Sequence, residues 1–302
     1  MTNQIDRREF AKLIGLGGVV FASGLGNPLT AGGAHAASAQ KDFFFVQLSD
    51  THWGFKGPPN PEAANTLPMA IKAVNELSQQ PDFIVFTGDL THTTDDVAER
   101  KKRMTEFKEM IKGLKTQKIY LMPGEHDASL DKGAAYKEVI HPETNYSFDH
   151  KGVHFIVLDN VSDPTASIGD EQLKWLADDL KKQGKEKRIV VFTHRPLFDL
   201  YPQWDWATKD GDKAVDLLMA HEYVTVFYGH IHQENHHMTG HIAHHAATSL
   251  VFPLPAPGSQ EKRTPLPWDA AHPFKGLGWR EVTAEKKGEY KILQIPVNKE
   301  SA

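Results

Sequence analysis

The stretch YLMPGEHDAS, residues 120–129, passes from an apolar run through a Pro-Gly turn into three ionisable side chains, Glu125, His126 and Asp127. The apolar part, KIYLM (118–122), has the length and residue types of a short buried strand. Polar groups at the mouth of such a strand are either loop residues or one corner of a site that other strand ends complete. Four further segments repeat the arrangement. FFFVQL (43–48) is followed by Asp50 and His52, and FIVFT (83–87) by Asp89 and His92. RIVVF (188–192) runs into His194, and YVTVFY (223–228) into His230 and His232.

Between these strands lie helical patterns. Residues 66–79 carry Ile71, Val74 and Leu77 at helical spacing, and residues 170–183 carry Leu173, Leu176 and Leu180 on one face. Residues 95–115 are charged outside, with Met104, Phe107, Ile111 and Leu114 as the inner stripe. Strand–helix alternation predicts an α/β architecture with largely parallel central strands. Residues 145–160 read as a hairpin turning near Lys151-Gly152, which adds antiparallel strands. In such sheets the carboxyl ends of parallel strands form one edge, and ligands bind there. Five strand ends bearing Asp, Glu and His would place several carboxylates and imidazoles at that edge. Burying them without a cation is costly, and one or two divalent ions remove the cost.

The chain has 302 residues, a formal charge of -5 and no cysteine. The charge shows no nucleic-acid-binding surface, and the missing cysteines exclude thiolate metal sites and thiol nucleophiles. The first 39 residues read as an export signal rather than fold: Arg7 and Arg8, then a Gly-rich apolar stretch, then AHA and ASA as cleavage motifs. The arginine pair points to the twin-arginine export machinery, hence to a periplasmic or secreted protein, with residues 40–302 as a single domain.

The five strand-end motifs resemble those of the calcineurin-like metallophosphoesterase superfamily. They appear here as DTH (50–52), GD (88–89), GEHD (124–127), TH (193–194) and GHIH (229–232). With THRPLF and GDEQLKWL, the chain looks closest to the bacterial branch that includes class III cyclic-nucleotide phosphodiesterases. The resemblance implies mixed central β-sheets, packed as a β-sandwich and flanked by helices. It implies two transition-metal ions, iron, manganese or zinc. The first would be held by Asp50, His52, Asp89 and His232, the second by Asp89, Glu125, His194 and His230. It further implies hydrolysis of a small phosphate ester by metal-activated water, with His126 as proton donor and His92 or Asp127 orienting it. The family usually has asparagine where this chain has Glu125. The added negative charge leads us to expect a phosphodiester substrate. The alternatives are a phosphomonoesterase or a catalytically weak metal- or phosphate-binding protein.

Beside the motifs, LFDLYPQWDWATKD (197–210) places Tyr201, Trp204 and Trp206 in a loop, where they are expected to line a substrate pocket. GHIAHHAATS (240–249) reads as a strand returning from the site, and 253–275 as a proline-rich wrap. YKILQIPV (290–297) reads as the last strand.

Overall fold

The structure, a computed structural model, describes residues 19–22, 43–285 and 288–298. Among the described residues twelve strands form two six-stranded sheets. In the first sheet the order is β1 (Val19–Ala22), β12 (Glu289–Pro296), β11 (Gly278–Ala284), β2 (Phe44–Leu48), β3 (Phe83–Thr87), β4 (Ile119–Met122). In the second it is β5 (Tyr146–His150), β6 (Val153–Val157), β7 (Arg188–Phe192), β8 (Tyr223–Tyr228), β10 (Ile242–Ala246), β9 (Asn235–Thr239). Strands β2, β3 and β4 are parallel, as are β6, β7, β8 and β10. The remaining pairings are antiparallel, so both sheets are mixed. The β5–β6 hairpin turns at Lys151-Gly152, both with positive φ, the backbone of a tight two-residue turn.

The sheets face each other across a layer of phenylalanines. Phe45 stacks on Phe83 at 4.9 Å and meets Phe227 edge-on at 5.5 Å, so rings of one sheet interlock with rings of the other. Helices α1 (Ala63–Asn75), α2 (Val97–Ile111) and α4 (Ala134–Val139) cover the outer face of the first sheet. Helices α5 (Asp170–Leu180) and α6 (Gly211–Leu218) cover the second. A one-turn helix, α3 (Glu125–Ala128), starts at the end of β4. Helix α2 begins because Asp96 accepts from the N–H groups of Ala98 and Glu99, and it buries Met104, Phe107 and Ile111 as its stripe predicts. Strands β2, β3, β6, β7 and β10 are buried along their whole length, with one face under helices and the other on the facing sheet.

Two expectations need correction. Strand β10 is parallel to β8 and therefore runs towards the strand-end edge; the returning strand is β9. The helix expected over 66–79 begins at Ala63 and ends at Asn75. Most of the leader segment, 1–39, lies outside the described residues. Val19–Ala22 within it pair antiparallel with β12 at the sheet edge.

Candidate metal centre

The carboxyl ends of β2, β3, β4, β7 and β8 meet at one end of the sandwich, three strands from one sheet and two from the other. Buried Gln47 ties them just beneath this end. Its amide donates to Thr87 Oγ1 at 3.1 Å in its own sheet and to the Tyr228 carbonyl at 3.2 Å in the other. The loops that follow continue the ladder: Asp50 N–H donates to Gly88 O, His52 N–H to Asp89 O, and Gly229 N–H to His194 O.

Local backbone explains how side chains from these loops converge. Nine non-glycine residues among those described have positive φ, and five of them are Asp50, His52, Asp89, His230 and His232. In D-x-H and H-x-H the left-handed residue recurs at alternate positions, which turns both donors inward. The neighbouring glycines give the room. A Cβ on Gly88 would collide with the His194 ring, and one on Gly124 with the amide and carboxylate of Asp89.

The donors form two adjoining cradles. In the first, His232 Nε2 lies 3.3 Å from Asp50 Oδ1, and His52 Nε2 lies 3.3 Å from Asp89 Oδ2. In the second, Glu125 lies between two imidazoles, 2.8 Å from His194 Nε2 and 2.8 Å from His230 Nδ1. His194 Nε2 is also 3.5 Å from Asp89 Oδ2, so Asp89 faces both cradles. Three imidazoles have their other nitrogen occupied. His194 Nδ1 is 2.7 Å from the Thr87 carbonyl, His232 Nδ1 is 2.8 Å from the Phe252 carbonyl, and His52 Nδ1 is 3.2 Å from His92 Nδ1. A carbonyl fixes the tautomer of the ring that donates to it and leaves a lone pair on Nε2.

Burial raises the Asp50 carboxyl, but His232, His194 and the Ser49 hydroxyl outweigh it and hold it below the usual range. Burial likewise raises Glu125, and His230 and His194 pull it well below. Burial and the neighbouring His126, His232 and His92 hold His52 well below the usual imidazole range. Burial would lower His194, yet Asp89 and Glu125 raise it well above. Ionised carboxylates thus face imidazole nitrogens across both cradles. His52 Nε2 in the first cradle and His230 Nε2 in the second are buried with no hydrogen-bond partner among the described residues. A cation in each cradle satisfies these atoms together, so the residues present fit two metal ions.

His126 lines the same pocket. Its backbone N–H donates to Asp89 Oδ1 at 2.9 Å, and its Nδ1 accepts from the Thr93 N–H at 3.2 Å. The proton of the neutral ring is therefore on Nε2. The two residues expected to orient it do something else. Asp127 accepts from the N–H groups of Leu90, Thr91 and Gly124 and from the Thr91 hydroxyl, all at 2.9 Å. It ties the loop after β3 to the loop after β4 and makes no hydrogen bond to the His126 ring. Burial and Asp89 push it up to about 6 despite those N–H donors. His92 stacks on His126 at 4.9 Å, but its hydrogen bond goes to His52.

The aromatic expectation is corrected as well. Trp206 is 0% exposed and Trp204 is 5% exposed; both pack with Tyr228 and Ile231, with Tyr201 against them. None of the three lines the donor pocket. Its walls are instead Phe252, just before the proline-rich wrap, and Leu254, Arg263 and Pro265 within it. Arg195, next to His194, was also missed. Its Nη2 binds Asp205 at 2.8 Å, and its Nε lies 3.8 Å from Glu125 Oε2. Adjacency to a donor was the only sequence signal for Arg195, and a lone basic cluster among prolines the only one for Arg263.

Comparison with known proteins adds the family. The sequence profile described as calcineurin-like phosphoesterase matches residues 45–234. A probable glycerophosphodiester phosphodiesterase GpdQ of Arcobacter nitrofigilis is 27% identical over 201 residues, 62% of this chain and 71% of the relative. The serine/threonine-protein phosphatase CPPED1 of Bos taurus is 26% identical over 217 residues, 63% of this chain and 69% of the relative. Among solved structures, the purple acid phosphatase PPD1 of yellow lupin superposes with a TM-score of 0.62 at 15% identity. That match covers 85% of this chain and 52% of the lupin chain, and it shows a shared fold. The family match contains every strand-end donor from Asp50 to His232 and well over half of the chain, so the protein belongs to the calcineurin-like phosphoesterases.

Proposed function

We propose that this protein is a binuclear metal-dependent phosphoesterase that hydrolyses a phosphodiester. The observation that carries the reading is the pair of adjoining donor cradles that share Asp89, with orphaned lone pairs in both. Oxygen and nitrogen donors without sulfur suit manganese, iron or zinc. Bound there, two cations neutralise phosphate charge and acidify water. The chain's own groups supply the rest. Asp50, Asp89, Glu125 and the four imidazoles hold the reacting end of the pocket. As water oxygen adds to phosphorus and the P–O bond to the leaving group breaks, His126 Nε2–H donates a hydrogen bond to the departing oxygen and stabilises the charge that develops there. The Thr93 N–H keeps that hydrogen on Nε2.

Glu125 supports the diester over the monoester. Its carboxylate is ionised, and it repels a dianionic monoester more than a monoanionic diester. A second reading, a phosphomonoesterase, draws support from Arg195, which lies close enough to offset part of that charge. The relatives' printed names include both a diesterase and a phosphatase. The Arg7-Arg8 start supports export by the twin-arginine route to the periplasm or beyond.

The test is turnover of bis(4-nitrophenyl) phosphate beside 4-nitrophenyl phosphate, using manganese-loaded wild type and Glu125→Asn. The proposal expects wild type to prefer the diester, and the variant to gain on the monoester by roughly tenfold, the size of one removed charge contact. Wild type preferring the monoester would favour the second reading. Wild type inert on both with an active variant would make the protein a binder.

A further inference from the structure

One wall of the donor pocket comes from a segment that the family match does not reach. Phe252, Leu254, Arg263 and Pro265 all follow β10, beyond residue 234. Three of these are apolar, and Arg263 is the one arginine or lysine lining the pocket. Its guanidinium makes no hydrogen bond or ion pair with any described residue, and the residue is exposed. Arg195 is committed elsewhere: Nη1 donates to the Asp205 carbonyl at 3.1 Å and Nη2 to its carboxylate at 2.8 Å. Arg263 alone brings a full fork of N–H donors to the pocket.

Its position is held by the fold. The Leu266 N–H donates to the Pro253 carbonyl at 3.1 Å, which pins the wrap to the strand exit behind the pocket. Trp204 Nε1–H donates to the Glu261 carbonyl at 3.4 Å, two residues before Arg263. Gly258 of the wrap lies against the Tyr201 ring. The buried aromatic loop therefore serves as the platform on which the wrap rests.

We propose that Arg263 binds the non-ester oxygens of the substrate phosphate, and that the wrap from Phe252 to Leu277 is thereby the element that selects the substrate. The inference rests on the phosphoester reading of the same pocket. Asp50, Asp89 and Glu125 offer acceptors only, so among the pocket's own side chains imidazole and this guanidinium are the groups that can donate to an incoming anion. A planar fork matches two phosphate oxygens, and an arginine on the wrap is not one of the cradle donors.

The experiment uses the full chain loaded with manganese. Inorganic phosphate binding is measured by calorimetry, and KM and kcat are measured on bis(4-nitrophenyl) phosphate, for wild type, Arg263→Gln and Arg263→Lys. Loss of one charge-assisted contact predicts about a tenfold weaker phosphate Kd and a similar rise in KM for Arg263→Gln. Manganese content should not change, kcat should stay within about twofold, and Arg263→Lys should recover part of the loss. The gap should narrow as salt rises, because the group is exposed. Phosphate binding by Arg263→Gln within about twofold of wild type overturns the inference, as does wild type that binds no phosphate. Arg263-dependent phosphate binding without turnover of any ester would refute the hydrolytic reading and leave this inference standing. Turnover and binding both indifferent to Arg263 would do the reverse.

Discussion

His52, His194 and His232 each present Nε2 to the centre, yet only His194 and His232 rest their Nδ1 on a carbonyl. His52 leans on His92, a side chain that can be replaced without touching the backbone. Burial and His126 push His92 down to about 4, so at neutral pH it is the acceptor that the His52 Nδ1–H needs. His92→Phe keeps a ring between Phe55 and His126 but removes that acceptor. We expect one of the two metal ions to bind about tenfold more weakly, with the other little changed, as metal titration after exhaustive dialysis would read. At this scale the sequence was informative about identity and order, since DTH, GD, GEHD, TH and GHIH supply all seven donors. It could not show His92 serving His52 instead of His126. His92 lies three residues after Asp89 along the chain, and the left-handed backbone at Asp89 redirects the loop between them.

At the scale of elements, the loops after β3 and β4 behave as one piece because Asp127 collects four donors from them. Asp127→Ala leaves three buried backbone N–H groups without a partner. At about 1 kcal/mol or more each, we expect a stability loss of at least about 2 kcal/mol in urea unfolding. Metal content should fall with it, because Asp89 and Glu125 sit on the two loops being tied. Sequence reasoning offered Asp127 as a group to orient His126, but α3 turns consecutive side chains about 100° apart. The same limit explains the aromatic loop. Spacing within 197–210 shows that Tyr201, Trp204 and Trp206 lie in a loop, not which side of it faces the pocket. Two tryptophans bury more apolar surface under the β8–β9 turn than they could at a wet rim.

For the whole molecule, the alternation of strands and helices gave the α/β class and the common edge, but not the division into two sheets. A strand buried on both faces carries no alternation, so β2, β3, β6 and β7 look alike in sequence, whichever sheet they join. The packing also buries an ionisable group with a global consequence. His244 on β10 is 0% exposed, and neither ring nitrogen has a partner among the described residues. Burial, then His237, push it down to about 3. The unfolded chain binds a proton there near pH 6.5 and the folded protein does not. Stability from this residue is therefore intact above about pH 6.5 and declines below it by up to about 1.4 kcal/mol per pH unit. His244→Phe should match wild type in thermal unfolding at pH 7.5 and exceed it by several degrees at pH 5. A parallel fall of both proteins between those pH values would remove His244 as the cause.

Because Asp50, His52, Asp89 and Glu125 follow strands of one sheet and His194, His230 and His232 follow strands of the other, neither half of the sandwich owns a finished cradle. A nascent or misdocked chain has donors but no site. Cation uptake therefore acts as a certificate of assembly: it is withheld until the phenylalanine layer has closed, and once granted it rivets the two sheets against coming apart.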